Sequence, residues 1–266
     1  MSNENEIVVK GWIPDDEIDS EELKPIREFR TIEPKLQRLM RARRANGHII
    51  KEYSPVSNQG RVGTCVSNAG MDLYEILMGS NFIQLSRLFP HWTSRLLTGG
   101  TDKDVGTSIQ AMFQQVEVFG LVAEEEWPYK DTLEAITTPP KLDIFTMASE
   151  NMPTGAYKII GGGTKKIGQI ITALNTEHPV EGGLSVTREF IRDREGLVWN
   201  NMDGTIVGGH AILIVGWRYA PDGSYEFLIR NSWGTGWGNE GHCWFTEKLV
   251  INLLRDLWVG TKIEWC

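Results

Sequence analysis

The run Asn58-Gln59-Gly60-Arg61-Val62-Gly63-Thr64-Cys65 determines how the rest of this chain is interpreted. Turn-forming residues fill the loop from Pro55 to Gly63, and a helical pattern of apolar side chains starts directly after it. Its apolar positions recur at spacings of three and four: Val66, Ala69, Leu73, Ile76 and Leu77. We therefore predict a long helix that begins at Cys65 and ends at Gly79-Ser80-Asn81.

Two further motifs follow downstream. Gly208-Gly209-His210-Ala211 places a histidine 145 positions after the cysteine (210 − 65), and Asn231-Ser232-Trp233-Gly234 follows 21 positions later (231 − 210). A thiol, an imidazole and an amide in this order can form a nucleophile, its base and the group that orients the base. Each residue alone is compatible with a purely structural role. Their order and spacing together favour catalysis by Cys65, His210 and Asn231.

The residue types suit acyl transfer. A cysteine at a helix start, beside an imidazolium, should have a lowered pKa, so we expect a resting thiolate–imidazolium pair of Cys65 and His210. Gln59 lies six positions before the cysteine (65 − 59), and its amide can stabilise an oxyanion together with the backbone N–H of Cys65. Asn231 would fix the imidazole tautomer, and Trp233 would shield that hydrogen bond from water.

Bulk properties restrict the class of protein. The 266 residues suit one two-lobed enzyme or two small domains. The net charge of −8 disfavours a nucleic-acid partner, and no apolar run of 18 residues is present, so we expect no membrane partner. Only three cysteines occur, and no secretory signal is visible at the N-terminus, which predicts a reducing, cytoplasmic location. No metal-ligand spacing is found, so neither a metal site nor a cofactor is predicted.

The order of patterns along the chain indicates an α+β fold. Residues 1–22 hold eight acids and one lysine, and we predict that this acidic segment docks through Trp12 and Ile13. Helical patterns cover 20–45, 85–97, 108–119 and 166–175, whereas strand patterns cover 157–160, 180–186, 211–215 and 225–230. Helices first and strands later suggest two lobes, with the chain crossing between them near residues 140–150.

These motifs resemble those of papain-like cysteine peptidases, in particular bacterial and viral members. Val62-Gly63-Thr64-Cys65-Val66 is similar to the family's cysteine motif, although Val62 stands where a cysteine is usual and Val66 where an aromatic is usual. The resemblance covers about residues 50–250. Other stretches that look like family landmarks are Leu85–Phe89, Asp104–Ile109, Glu126–Tyr129 and His178–Val180.

The resemblance implies a two-lobed fold with a substrate cleft between the lobes. Cys65 would lie on the central helix of a helical lobe (46–145), with His210 and Asn231 on a β-barrel-like lobe (146–266), after an N-terminal arm (1–45). Val105 and Gly106 would hydrogen-bond an extended peptide. The other residues implied to border bound substrate are Gly63, Thr64, Gly209, Ala211 and Trp233.

The expected function is a cysteine endopeptidase that acts on peptides or proteins through a thioester acyl-enzyme. Two alternatives stay open: a catalytically weak binding or structural module on the same scaffold, and a transpeptidase or amidase that uses the same nucleophile. Residues 1–45 are either a short inhibitory arm or part of the fold, and the second is favoured. The sequence leaves the natural substrate, the cleavage preference and the oligomeric state open.

Overall fold

The computed structural model describes residues 9, 11–18, 47–153 and 155–261. The helical pattern predicted over 20–45 therefore lies outside the described residues, whereas part of the acidic segment over 1–22 is described. Two short 3-10 turns, Asp15–Glu17 and Gly79–Asn81, accompany the longer elements.

Helices dominate the first half of the described chain. The helix predicted at the cysteine is confirmed as α1, Cys65–Met78, which ends at Gly79 with φ 70°. The helix predicted over 108–119 is α3, Ile109–Phe119; the Ser108 side chain caps its start by accepting from the N–H of Ala111. The other helices are α2 (Leu88–Thr98), α4 (Leu133–Thr137), α5 (Leu142–Ser149), α6 (Gly163–Asn175), α7 (Arg188–Ile191) and α8 (Glu247–Leu253).

One mixed sheet has eight strands within the described ranges, and seven of them come from the second half of the chain. Its strands are β1 (Gly47–Ile49), β2 (Ala156–Lys158), β3 (Val180–Thr187), β4 (Val198–Trp199), β5 (Ile206–Tyr219), β6 (Tyr225–Arg230), β7 (His242–Thr246) and β8 (Arg255–Gly260). The order is β2-β8-β3-β5-β6-β7-β4, and β1 pairs with β5. Every pair is antiparallel except β4 with β7.

The α+β class predicted from the sequence is confirmed, and α1 is the helix that joins the two parts. One apolar cluster runs from α1 through α3 to β3 and β5, so the helices and the sheet share a core. Cys65, at the start of α1, lies where the helix meets β5. The predicted division at residues 45 and 145 stays a prediction.

One helix boundary differs from expectation, and the difference has a local cause. The pattern from Leu85 predicts a helix there, but α2 starts at Leu88. The preceding residues instead bind the buried carboxylate of Glu75, which accepts from the N–H of Leu85 at 2.8 Å and from Nη1 of Arg87 at 2.6 Å. Satisfying a buried charge therefore takes precedence over extending the helix.

Candidate active site

Cys65 is the first residue of α1 and is fully buried. Its Sγ accepts a hydrogen bond from the backbone N–H of Ala211 at 3.3 Å, which brings the thiol against the residue that follows His210 on β5. The turn before the helix is fixed by side chains: the Oγ1 of Thr64 lies 2.6 Å from the Tyr129 hydroxyl and accepts from Nδ2 of Asn68 at 3.0 Å. The sulphur therefore sits at a helix N-terminus held in place from two sides.

His210 is oriented by the residues that follow β6. Its Nε2 lies 2.7 Å from Oδ1 of Asn231, and the same oxygen accepts from the backbone N–H of Ser232 at 2.8 Å. Because Oδ1 already accepts from a backbone N–H, it is an acceptor, so Nε2 must donate and Nδ1 of the neutral ring is the free base position. Trp233 stacks on the imidazole with a centroid distance of 4.3 Å. Nδ1 has no hydrogen-bond partner among the described residues.

Gln59 is fully buried and joins the loop before the nucleophile to the loop that holds Asn231. Its Oε1 accepts from the hydroxyl of Ser232 at 2.8 Å, and its Nε2 donates to the carbonyl of Val62 at 3.1 Å. Its backbone carbonyl accepts from the hydroxyl of Tyr129 at 2.8 Å. These contacts fix the amide so that its nitrogen faces the turn that leads into Cys65.

Burial determines the charge state of the pair. It raises the pKa of the Cys65 thiol to about 12 and lowers the pKa of the His210 imidazole to about 4. Both groups are therefore neutral near pH 7 in this conformation. In this conformation burial opposes the expected resting thiolate–imidazolium pair, because desolvation disfavours the charged form of both groups.

The cause of this burial is the N-terminal segment, by which we mean Val9 and residues 11–18. Gly11 lies directly against the nucleophile: a Cβ added at this residue would come 2.5 Å from Sγ of Cys65 and 2.7 Å from the carbonyl oxygen of Gly63. The segment also pairs with the wall of the site. Thr107 donates its N–H to the carbonyl of Gly11 at 3.1 Å and accepts from the N–H of Ile13 at 3.0 Å.

Trp12 is 5% exposed, which confirms the docking predicted for this residue. Its indole lies against Gly183 on β3, where any Cβ would overlap the ring, and its carbonyl oxygen lies 2.5 Å from where a Cβ of Gly209 would be. Gly183 was not predicted from the sequence to be part of the site. The signal was available, because a glycine inside a strand pattern often marks the close approach of a ligand or another backbone.

Among the residues implied to border substrate, Gly63, Gly209 and Ala211 lie against the N-terminal segment or the sulphur of Cys65. The backbone of Thr107 carries the strand-like hydrogen bonds, and Val105 and Gly106 immediately precede it. Gly63 presents its carbonyl to the N-terminal segment and donates its N–H to Asp104 at 3.0 Å. The other implied residues are placed as described above: Thr64 in the turn, Gly209 against Trp12, Ala211 on the sulphur and Trp233 on the imidazole.

Nowhere in the described ranges do three or more His, Cys, Asp or Glu side chains converge as metal ligands would. No described helix is both long and apolar enough to span a bilayer.

Comparisons with known proteins agree with this geometry. Residues 43–252 match the family model for the papain family cysteine proteases. A peptidase C1-like protein of Acanthamoeba polyphaga mimivirus is 29% identical over 224 residues, which cover 77% of this chain and 69% of that protein. A cathepsin B-like protease of Arabidopsis thaliana is 30% identical over 134 residues, 46% of this chain and 35% of the plant protein.

A solved structure shares the fold over nearly the whole chain. Xylellain, a cysteine protease from Xylella fastidiosa, has a TM-score of 0.81 at 23% identity and covers 99% of this chain and 100% of its own. The predicted papain-like fold is thereby confirmed. Since the family model spans more than half of the sequence, this chain belongs to the papain family of cysteine proteases.

Proposed function

We propose that this papain-family chain hydrolyses peptide bonds through a thioester acyl-enzyme, with Cys65 as nucleophile, His210 as general base and acid, and Asn231 as the group that orients His210. The observation that carries the proposal is the pair of hydrogen bonds at the junction of α1 and β5. Ala211 N–H donates to Sγ at 3.3 Å, while Asn231 binds Nε2 of the adjacent histidine at 2.7 Å. The sulphur and the free base position Nδ1 thus belong to one buried site.

The chemistry follows from the tautomer. Nδ1 of His210 takes the thiol proton, and the Cys65 thiolate attacks the scissile carbonyl carbon to give a tetrahedral oxyanion. The imidazolium then gives its proton to the leaving amine as the C–N bond breaks, which leaves a thioester. A water molecule, deprotonated by His210, attacks the thioester and releases the acid product and the thiol. Asn231 keeps Nε2–H bound throughout, so the ring need not reorient between steps.

Gln59 and the backbone N–H of Cys65 are the proposed oxyanion donors. Support comes from the rigid placement of the glutamine: Ser232 binds its carbonyl oxygen and Tyr129 binds its backbone carbonyl. Such preorganised donors are worth about 2.7–4 kcal/mol each in the barrier, because they need no rearrangement when charge develops.

A binding module without chemistry is the alternative of a different class. The N-terminal segment over the sulphur is the observation that favours it, since an occupied cleft turns over nothing. Against it stands the histidine tautomer, which is set for proton transfer rather than for packing alone. A transpeptidase would share every step up to the thioester and differ only in using an amine in place of water.

The test uses the full chain with Trp12→Ala, which empties the recess at Gly183 and should release the N-terminal segment from the sulphur, and mixed peptides as substrate. We expect hydrolysis that falls on the order of 10⁴-fold or more when Cys65→Ala is added. The matched control is Cys243→Ala, a buried thiol on β7 whose loss should leave turnover unchanged. Hydrolysis that persists without Cys65 would overturn the assignment. No hydrolysis, together with no labelling of Cys65 by an epoxysuccinyl probe, would support the binding module, and ligated peptides would identify a transpeptidase.

A further inference from the structure

Asp15 is a buried acid to which the proposed chemistry assigns no role. It is 7% exposed and lies in the N-terminal segment, three residues after Trp12. Its Oδ2 accepts from Nζ of Lys158 at 2.7 Å and from Nε1 of Trp258 at 2.9 Å. Its Oδ1 accepts from the backbone N–H of Gln110, in the first turn of α3, at 3.1 Å. Three donors from three elements thus converge on one carboxylate.

These donors belong to the body of the fold. Lys158 ends β2, Trp258 lies on β8 and Gln110 lies in α3, so the socket spans the sheet and a helix. Trp258 also stacks on Phe113 at 5.9 Å, which fixes the indole. A cation, an indole N–H and a helix N-terminus all favour a negatively charged occupant.

Asp256 contacts both Lys158 and the backbone N–H of Asp15. Its Oδ1 binds Nζ of Lys158 at 2.9 Å, and its Oδ2 accepts from the backbone N–H of Asp15 at 2.9 Å. The socket therefore recognises both the carboxylate and the N–H of the same residue. Desolvation raises the pKa of Asp15, and the nearby Asp256 adds to this, while Lys158 opposes both. A charge is buried here only because its partners are present.

The contacts of Gly11, Trp12 and Asp15 indicate which kind of peptide would fit the same cleft. The indole of Trp12 fills the recess at Gly183, Gly11 covers the sulphur of Cys65, and Asp15 enters the socket. Both anchors are recessed in the body of the fold, and the backbone between them makes strand-like bonds to Thr107. The N-terminal segment is thus bound as a peptide ligand would be: the side chains of Trp12 and Asp15 fill two recesses, and the backbone pairs with Thr107.

We propose that the cleft has an acid-binding subsite, formed by Lys158, Trp258 and the N–H of Gln110, that takes an aspartate side chain three residues after an aromatic one. The chain's own N-terminal segment (Val9 and residues 11–18) occupies this subsite and the aromatic recess together, and it keeps the thiol inaccessible. The consequence for turnover depends on the proposed peptidase function, whereas the binding itself does not. Peptides with the aromatic-x-x-Asp pattern are the class of ligand that this cleft selects.

The first experiment compares Asp15→Ala and Lys158→Met with the unmodified full chain. The readout is the rate at which iodoacetamide alkylates Cys65, located by peptide mass mapping. Removing one partner of a buried, hydrogen-bonded charge pair should raise this rate by about 30-fold or more. The matched control is Asp16→Ala, because Asp16 is the exposed neighbour and pairs only with half-exposed Arg255 at 2.8 Å among the ion pairs described. Equal rates in Asp15→Ala and Asp16→Ala would overturn the proposal.

A second experiment guards against a change in the fold. The synthetic peptide of residues 9–18 is added to the Asp15→Ala chain, and Cys65 alkylation is measured again. We expect the peptide to slow alkylation in a saturable way, and the same peptide with alanine in place of Asp16 to act similarly. The peptide with alanine in place of Asp15 should be at least tenfold weaker. Equal potency of the three peptides, or no slowing by any, would contradict the subsite.

Hydrolysis measured in parallel separates the two proposals. Faster alkylation without any peptide hydrolysis in Asp15→Ala would support the subsite and reject the peptidase function. Hydrolysis that is equally fast in the unmodified chain and in Asp15→Ala would support the peptidase and reject occupation of the cleft by residues 9–18.

Discussion

Gly11 and Cys65 are in direct contact, with the backbone of the glycine lying over the sulphur. A Cβ at this position would stand 2.5 Å from Sγ and 2.7 Å from the carbonyl oxygen of Gly63. Because the second obstacle is backbone, the clash cannot be relieved by a side-chain rotation. The absence of a side chain at residue 11 is therefore what allows the N-terminal segment to close over the thiol.

The first prediction is that Gly11→Ala opens the site. Overpacking of this kind costs about 1–3 kcal/mol, and that corresponds to about a 5- to 150-fold shift in the closed-to-open equilibrium. Alkylation of Cys65 by iodoacetamide, followed by mass spectrometry, should speed up by a factor in this range. Gly236→Ala is the control, since a Cβ there meets nothing within 4 Å. An unchanged rate in Gly11→Ala would show that the segment does not lie on the sulphur in solution.

The second prediction concerns pH. In the closed state the thiol has a pKa of about 12, so thiolate forms only as the pH approaches that value, and alkylation of the unmodified chain should stay slow at neutral pH. Trp12→Ala admits water, which removes the desolvation that raises the thiol pKa and lowers the imidazole pKa from its usual value to about 4. The thiol pKa should fall and the imidazole pKa should rise, so the alkylation profile should shift to lower pH. Superimposable pH profiles for the two chains would contradict this account.

Local pattern was enough to predict several elements that build the site. The helix at Cys65 and the helix before Gly120 follow from apolar spacing and terminal residues, and the strand at Tyr225–Arg230 follows from alternation and its turn. β5 is much longer than the predicted 211–215, because its ends are stabilised by pairing with β1, β3 and β6. Such pairing joins distant segments and leaves little trace in a short window.

The place at which the N-terminal segment docks could not be predicted from the sequence. Acidic composition and Trp12 indicated docking, but not the place. The recess for Trp12 exists because Gly183 lacks a side chain on a strand about 170 residues away (183 − 12 = 171), and the socket for Asp15 combines three further elements. Nonlocal complementarity of this kind is visible only once the strands are placed.

The third prediction tests the oxyanion donor. In the Trp12→Ala background, Gln59→Ala should lower kcat for peptide hydrolysis by about 10²–10³-fold with little change in KM, because the lost hydrogen bond forms only in the transition state. Ser232→Ala, which removes the 2.8 Å bond to Oε1 of Gln59, should cost less, since the amide is loosened rather than lost. In the double variant the effects should not add, as both act through the same amide. Full additivity, or a Gln59→Ala chain that turns over normally, would remove the glutamine from the mechanism.

The fourth prediction concerns stability and starts from Arg230 at the end of β6. Its Nε binds Oδ2 of Asp72 on α1 at 2.9 Å, while Oδ1 of the same carboxylate binds Arg87 at 2.8 Å. Arg230 also pairs with Glu52 and donates to the carbonyl of Ser54 at 3.2 Å. The guanidinium therefore ties the sheet to the helix that carries the nucleophile, and it does so in a buried setting.

Arg230→Ala should lower the free energy of unfolding by about 3–5 kcal/mol, because it leaves a buried carboxylate without one of its cations. Urea-induced unfolding followed by tryptophan fluorescence measures the change. Arg255→Ala is the control: its pair with Asp16 is exposed, and such pairs contribute about 0–1 kcal/mol. Similar losses in the two variants would mean that the contact between α1 and β6 adds nothing beyond a surface ion pair. A large loss confined to Arg230→Ala would instead show that this buried guanidinium stabilises the contact between the helix carrying Cys65 and the sheet carrying His210.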